Sequence, residues 1–151
     1  MSDRVLIALC CALVAGAAPE LWPELERELH PYLRERTLGR FDAEIEHARC
    51  EDAWAAARPL FEADKERHVG RLLERVQAGI GGGERAVAGF EDVRRALQER
   101  RVEALLYDAG FAAPGFETTI ADALLQAAEV VPLHDRPELG PLGGIAAVLR
   151  F

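Results

Sequence analysis

Residues 89–111, GFEDVRRALQERRVEALLYDAGF, decide how this chain folds. Phe90, Val93 and Leu97 recur at helical spacing and share one face, while Glu91, Arg94, Arg95, Gln98 and Glu99 cover the others. The spacing predicts an amphipathic helix over 90–100. Past Arg100 and Arg101 the period changes, and residues 102–107 form an apolar run too short for a helix, ended by Asp108 and Gly110. A strand buried on both faces reads this way.

Working outward toward the C-terminus, residues 117–128 predict a second helix, capped by Thr118 or Thr119, with Ile120, Ala123, Leu124 and Ala127 on its apolar side. Strands are expected at 129–133 and 145–151, with a polar loop between them. Upstream, a short strand at 85–88 follows the glycine-rich stretch 79–83, the clearest candidate boundary in the chain. Strand and helix alternate throughout, so the fold class is α/β, helices packed on a small sheet.

Further upstream, residues 50–78 are expected to be mostly helical, with Pro59 as a break or as the first residue of a second helix. Trp54, Phe61, His68, Val69, Leu72, Leu73 and Val76 make the apolar stripe. Residues 19–36 read as two helical pieces divided at Pro31 and closed by Gly39. In FDAEIEH, residues 41–47, apolar and charged side chains alternate as on a half-exposed edge strand. Residues 5–18 are an apolar run too short to span a bilayer, which needs about 20 residues. A buried strand is expected there, with a secretory signal over 1–18 as the alternative.

A chain of 151 residues can bury a real core. Its net charge of −8 argues against broad, charge-driven nucleic-acid binding. Residues 1–78 hold 11 basic and 15 acidic side chains and the remainder 7 and 11, so each part carries −4 and neither is a basic arm. Cys10, Cys11 and Cys50 are odd in number and lack ligand spacing, which fits a reducing compartment and neither a disulfide scaffold nor zinc.

No motif names a reaction. The triple glycine is followed by Glu84 and Arg85 where a phosphate loop needs lysine and then serine or threonine. Ser2 is the sole serine, so a serine nucleophile within a folded site is excluded. Neither His134 with Asp135 nor His47 with Cys50 has a third group to orient it. Asp42, Glu44 and Glu46 lie on one side of the predicted edge strand, where carboxylates bind a divalent metal or simply stay solvated. Arg94, Arg95, Arg100 and Arg101 are the basic concentration of the second half, a candidate partner-binding surface balanced by Glu91, Asp92 and Glu99.

Three segments in order, AVAGFEDVRRAL at 86–97, VEALLY at 102–107 and GPLGGIAAVLRF at 140–151, resemble the C-terminal domain of the archaeo-eukaryotic release factor and Pelota family, particularly its bacterial relatives. The resemblance covers about residues 84–151. It implies an α/β/α sandwich like that of kink-turn-binding ribosomal proteins, preceded at residues 12–47 by part of the family's ribonuclease-H-like central domain. Release factors of this family hydrolyse peptidyl-tRNA through a Gly-Gly-Gln loop. Here Gly82 and Gly83 are followed by Glu84, so catalysis is not carried over. Kink-turn binders present Asn-Glu where this helix begins with Phe90, Glu91 and Asp92, so an acidic residue stands in place of the amide and nucleic acid is only a weakly supported partner.

The expected organisation is a partial central-domain-like unit at 1–48, connecting helices at 49–78 and the sandwich at 79–151. The expected role is a non-enzymatic, translation-associated, cytoplasmic domain that binds the ribosome or a protein partner, without cofactor, metal or membrane. Two alternatives stand beside it: a nuclease-like remnant using Asp42, Glu44 and Glu46 with a metal, and a structural protein dimerising through an exposed sheet edge.

Overall fold

A computed structural model describes residues 5–9, 12–16, 19–42, 49–80, 82 and 85–151, the first two stretches through their backbone alone. The chain divides into two compact units, Met1–Arg67 and His68–Phe151.

In the first unit, β1 (Val5–Leu9) and β2 (Ala12–Gly16) pair antiparallel. The apolar run read as one strand is therefore two. Helices α1 (Trp22–Glu28) and α2 (Pro31–Glu35) follow, divided at Pro31 as its missing amide predicts. The Arg34 guanidinium donates to the carbonyls of Glu26, Arg27 and Leu29, satisfying groups that the end of α1 leaves open. Strand β3 (Thr37–Phe41) then pairs parallel with β2, giving the order β1-β2-β3. Gly39 lies inside this strand instead of closing the helical segment. Its φ of 150° is one that residues with a Cβ rarely adopt, and a leucine side chain, Leu60, fills the space beside it. Of the predicted 41–47 strand only Phe41 and Asp42 fall within the described residues.

Helix α3 (Cys50–Ile80) is continuous through Pro59, where a break or a new start was expected. Proline in a helix interior costs about 3 kcal/mol. The packing of the helix offsets this: Ala53 and Ala57 are buried against Phe41, with Leu38, Leu60 and Phe61 around them. Small residues on this face let the helix approach the strand closely.

The second unit begins within α3 and continues through β4 (Ala86–Ala88), α4 (Phe90–Gln98), β5 (Val102–Asp108), α5 (Phe116–Leu125), β6 (Glu129–Leu133) and β7 (Ile145–Leu149). The polar loop expected before β7 contains a 3₁₀ turn, Pro137–Leu142, whose Leu139 is buried in the core. The sheet order is β4-β7-β5-β6, with β5 antiparallel to β7 and parallel to β6. Both faces are covered. Ala104, Leu106, Ala146 and Val148 point toward Val69, Leu72, Leu73 and Val76 of α3. Val102, Leu105, Ile145, Ala147 and Leu149 point toward Val93, Ala96 and Leu97 of α4 and Ala123 of α5. The unit is thus the three-layer α/β/α arrangement that the resemblance implies, and its central strands are apolar throughout for that reason.

A register shift between Val102 and Ala104 lets these two residues, two apart in sequence, face opposite layers. The same irregularity leaves Glu103 on the α3 side, where both its oxygens accept from Arg75 at 2.7 Å. Two glycines are fixed by the packing. A Cβ on Gly79 would lie 2.6 Å from the Ala86 Cβ and 2.8 Å from its backbone nitrogen, so the end of α3 can meet β4 only with glycine there. Gly144, at φ 77° and with Phe111 3.1 Å from where its Cβ would be, turns the chain into β7.

Helix α5 starts at Phe116, not after a threonine cap. Its N-cap is Gly115 in the left-handed conformation, and the Thr119 hydroxyl donates back to the Gly115 carbonyl from inside the helix. The physical reason is aromatic packing: Phe116 docks edge-on against Tyr107 at 5.0 Å and Phe111 at 4.9 Å, drawing the helix start upstream.

Candidate functional site

Both helices on the α4–α5 face end in the same way. The Arg101 amide reaches the Ala96 carbonyl and the Arg100 amide that of Leu97, while Ala128 and Ala127 donate to Ala123 and Leu124. These are Schellman motifs, in which a left-handed residue follows the helix and is usually glycine. Here Arg100 and Ala127 hold that position, at φ 56° and 53°. Left-handed backbone costs a residue with a Cβ about 1–2 kcal/mol.

These two strained residues line one open groove of 480 Å³ together with Asp122, Leu125, Gln126 and Arg150. The Gln126 amide nitrogen donates to the Leu97 carbonyl at 3.0 Å, joining the two helix ends. Arg150 donates to the Gln126 carbonyl at 2.9 Å, where the negative end of α5 attracts a cation. On the α3 side of the sheet, the Glu103 carboxyl is held below its ordinary range chiefly by the hydrogen bonds from Arg75 and, more weakly, by the charges of Arg75 and Arg150. The Arg75 guanidinium is correspondingly raised.

The four arginines read from the sequence are placed differently from one another. Arg94 pairs with Glu91 at 3.3 Å and lies 5.7 Å from the Phe90 ring centre, and Arg95 pairs with Asp92 at 3.1 Å. Both are on the exposed side of α4. Arg101 pairs with Glu99 and donates to the main-chain oxygen of Phe151 at 3.1 and 2.9 Å, so its guanidinium is occupied within the unit. Arg100 has no side-chain partner among the described residues and borders the groove.

Residues in and beside the groove escaped the sequence reading. Arg150 looked like the end of an apolar strand. Leu124 was assigned to the buried stripe of its helix, yet it is 60% exposed and Leu125 is 86% exposed. Ala127 is exposed as well, and Thr119 and Ala123 are the buried residues of α5. The signal was the leucine pair itself, because neighbours on a helix are about 100° apart and a narrow buried stripe cannot hold both.

The acidic trio is not assembled among the described residues. Asp42 is exposed and paired with Arg40, while Glu44, Glu46 and His47 lie outside the described residues. Within those residues no group of three His, Cys, Asp or Glu could hold a metal ion. His134 and Cys50 are exposed. His68, near the start of the second unit, bonds both oxygens of Glu129 at 2.8 and 2.9 Å, bracing α3 against the outer strand β6. No described helix is long and apolar enough to cross a membrane.

No family model matches the chain. It is 38% identical over 98 residues to a protein pelota homolog from Archaeoglobus fulgidus, a match that covers 59% of this chain and 27% of the relative. Among solved structures it is similar to Archaeoglobus fulgidus Pelota, with a TM-score of 0.56 and 23% identity over 85% of this chain and 44% of that one. Saccharomyces cerevisiae Dom34, a translation termination-like factor involved in RNA quality control and interacting with Hbs1, gives a TM-score of 0.56 at 13% identity, covering 87% of this chain and 41% of Dom34. The chain spans about a quarter of the curated relative and under half of these solved chains. The family that the sequence resembles is thus the one that the comparisons return, and the α/β fold is shared with it.

Proposed function

Taking the chain as a relative of Pelota over its matched residues, we propose that it is a non-catalytic, translation-associated domain that binds the ribosome or a protein partner of the translation machinery in the cytoplasm. The observation that carries this reading is the 38% identity over 98 residues to a Pelota protein. Two features support it. The chain has no Gly-Gly-Gln tripeptide and no serine beyond Ser2, which favours binding over hydrolysis. Dom34, whose fold is similar, interacts with a protein partner, Hbs1.

In this reading the sandwich at 79–151 is the binding domain, residues 49–78 connect it, and residues 1–48 correspond to part of a central-domain-like unit. Arg94, Arg95, Arg100 and Arg101 are the candidate contacts. The test is sedimentation of the purified full chain with ribosomes from its own organism at low salt. Co-sedimentation that weakens when all four arginines are changed to glutamate is expected. Absence from the ribosomal fraction at low salt overturns the proposal. If the contact is mainly to RNA phosphate, binding also falls steeply as salt rises, whereas a protein contact responds less.

A further inference from the structure

The groove between the ends of α4 and α5 combines three properties that the fold itself does not require. The first is Arg100 in a left-handed position where glycine would relieve strain. Its guanidinium has no partner among the described residues, so the strain is not repaid by a contact within the unit. The second is exposed apolar surface beside it, with Leu124 60% and Leu125 86% exposed at the last turn of α5. The third is charge: Arg100 and Arg150 line the groove with a single acid, Asp122, on a chain whose net charge is −8.

Each property narrows the occupant. Two adjacent leucines want an apolar side chain to cover them and offer no ring for a base to stack on, which disfavours single-stranded nucleic acid. Openness disfavours a small molecule, since such sites enclose most of their ligand. A second copy docking the same face would bring two Arg100 and two Arg150 side chains together with only the two Asp122 carboxylates to offset them. A carboxylate presented from a protein suits an exposed guanidinium, and acid beside a large apolar side chain is complementary to the pair of features.

We infer that this groove receives a short acidic segment of a partner protein, one large apolar side chain resting on Leu124 and Leu125 and a carboxylate on Arg100. The inference deepens the binding role proposed above and rests on it for the partner's being a protein.

The test places the photoreactive residue p-benzoylphenylalanine at position 125 of the full chain, with position 117, exposed at the start of the same helix, as the control. After irradiation in cells, the attached segment is identified by peptide sequencing, synthesised, and its binding measured by fluorescence anisotropy. An adduct specific to position 125, on a protein segment rich in acids around one large apolar residue, is expected. Arg100→Glu and Leu125→Ser should each weaken that peptide at least tenfold, and replacing the peptide's acids with lysine should restore binding to Arg100→Glu. Both substituted residues are exposed, and an unchanged circular dichroism spectrum checks the fold. No adduct above the control, an adduct to another copy or to nucleic acid, a segment without an excess of acids, or a peptide indifferent to both substitutions overturns the inference. A chain that sediments with ribosomes but gives no adduct defeats the groove alone. One that gives the acidic adduct but never sediments defeats the translation reading alone.

Discussion

In the first unit α3 turns Ala53 and Ala57 toward Phe41 of β3, whereas in the second it turns Val69, Leu72, Leu73 and Val76 toward a sheet whose other face is already covered by α4 and α5. One helix therefore serves two kinds of packing. Alanine allows close approach to a bulky partner, and branched side chains fill the wider gap over a pleated surface. The difference teaches where stability and recognition separate. In the second unit the central strands β5 and β7 are shielded on both faces, with Leu105, Leu106 and Ile145 at 0% exposure, so they can carry stability and little else. Recognition is left to the helix ends, where the backbone is strained and leucine is exposed.

The comparison breaks most sharply at Leu105. Leu105→Ala should destabilise the second unit by about 3–5 kcal/mol, since the surrounding layers cannot collapse into the cavity. Hydrogen exchange should show lost protection in β5 and β7 and little change in β3. Equal loss in β3 would mean that the two packings are not independent.

At Pro59 the helix lacks the amide that would bond the Ala55 carbonyl. Pro59→Ala should therefore stabilise the first unit by roughly 1–3 kcal/mol, the helix gain being reduced by the greater freedom of the unfolded chain. A rise in helical circular dichroism with unchanged protection of β7 would sharpen the contrast.

The helix ends offer a smaller effect with a divided outcome. Ala127→Gly and Arg100→Gly should each stabilise by about 0.5–1 kcal/mol, as relief of left-handed strain exceeds the added entropy of glycine. Only the second should weaken partner binding. Measured by urea denaturation and by the anisotropy assay, equal effects on binding would show that Arg100 is there for the fold.

The smallest effect is at Glu103. It is 43% exposed, so Glu103→Gln should cost only about 0.2–0.5 kcal/mol at neutral pH. Because the carboxyl is held below its ordinary range in the folded state, its contribution is complete above the ordinary glutamate range and is lost as pH falls through the lowered value. The stability curves of the parent and variant chains should converge in acid. Divergence there would mean that Arg75 does not favour the ionised form.

Much of this was legible beforehand. The change of period at Arg100 and Arg101 located α4 and β5 to within two residues at each end, because burial on one face and burial on two leave different patterns. Pro31 divided α1 from α2 as its chemistry requires. The errors have particular causes. At Pro59 the sequence points to a break or a new helix start because a local penalty is visible in sequence and the compensating contacts of Ala53 and Ala57 are not. Thr118 or Thr119 looks like a cap in the sequence because the aromatic contacts that fix the start of α5 join residues from three separate segments. Of the site, Arg100 was named together with Arg94, Arg95 and Arg101, whereas Arg150, Leu125 and the division of the arginines into paired and unpaired groups were not legible.

What the sequence by itself determined is the order of helix and strand in the second half and the double burial of its central strands, since both follow from periodicity that each segment carries alone. The tertiary structure decided which charges meet. It alone brought Arg100, Leu125 and Arg150 around one groove, because those residues come from the ends of three elements whose juxtaposition is set by the packed core between them.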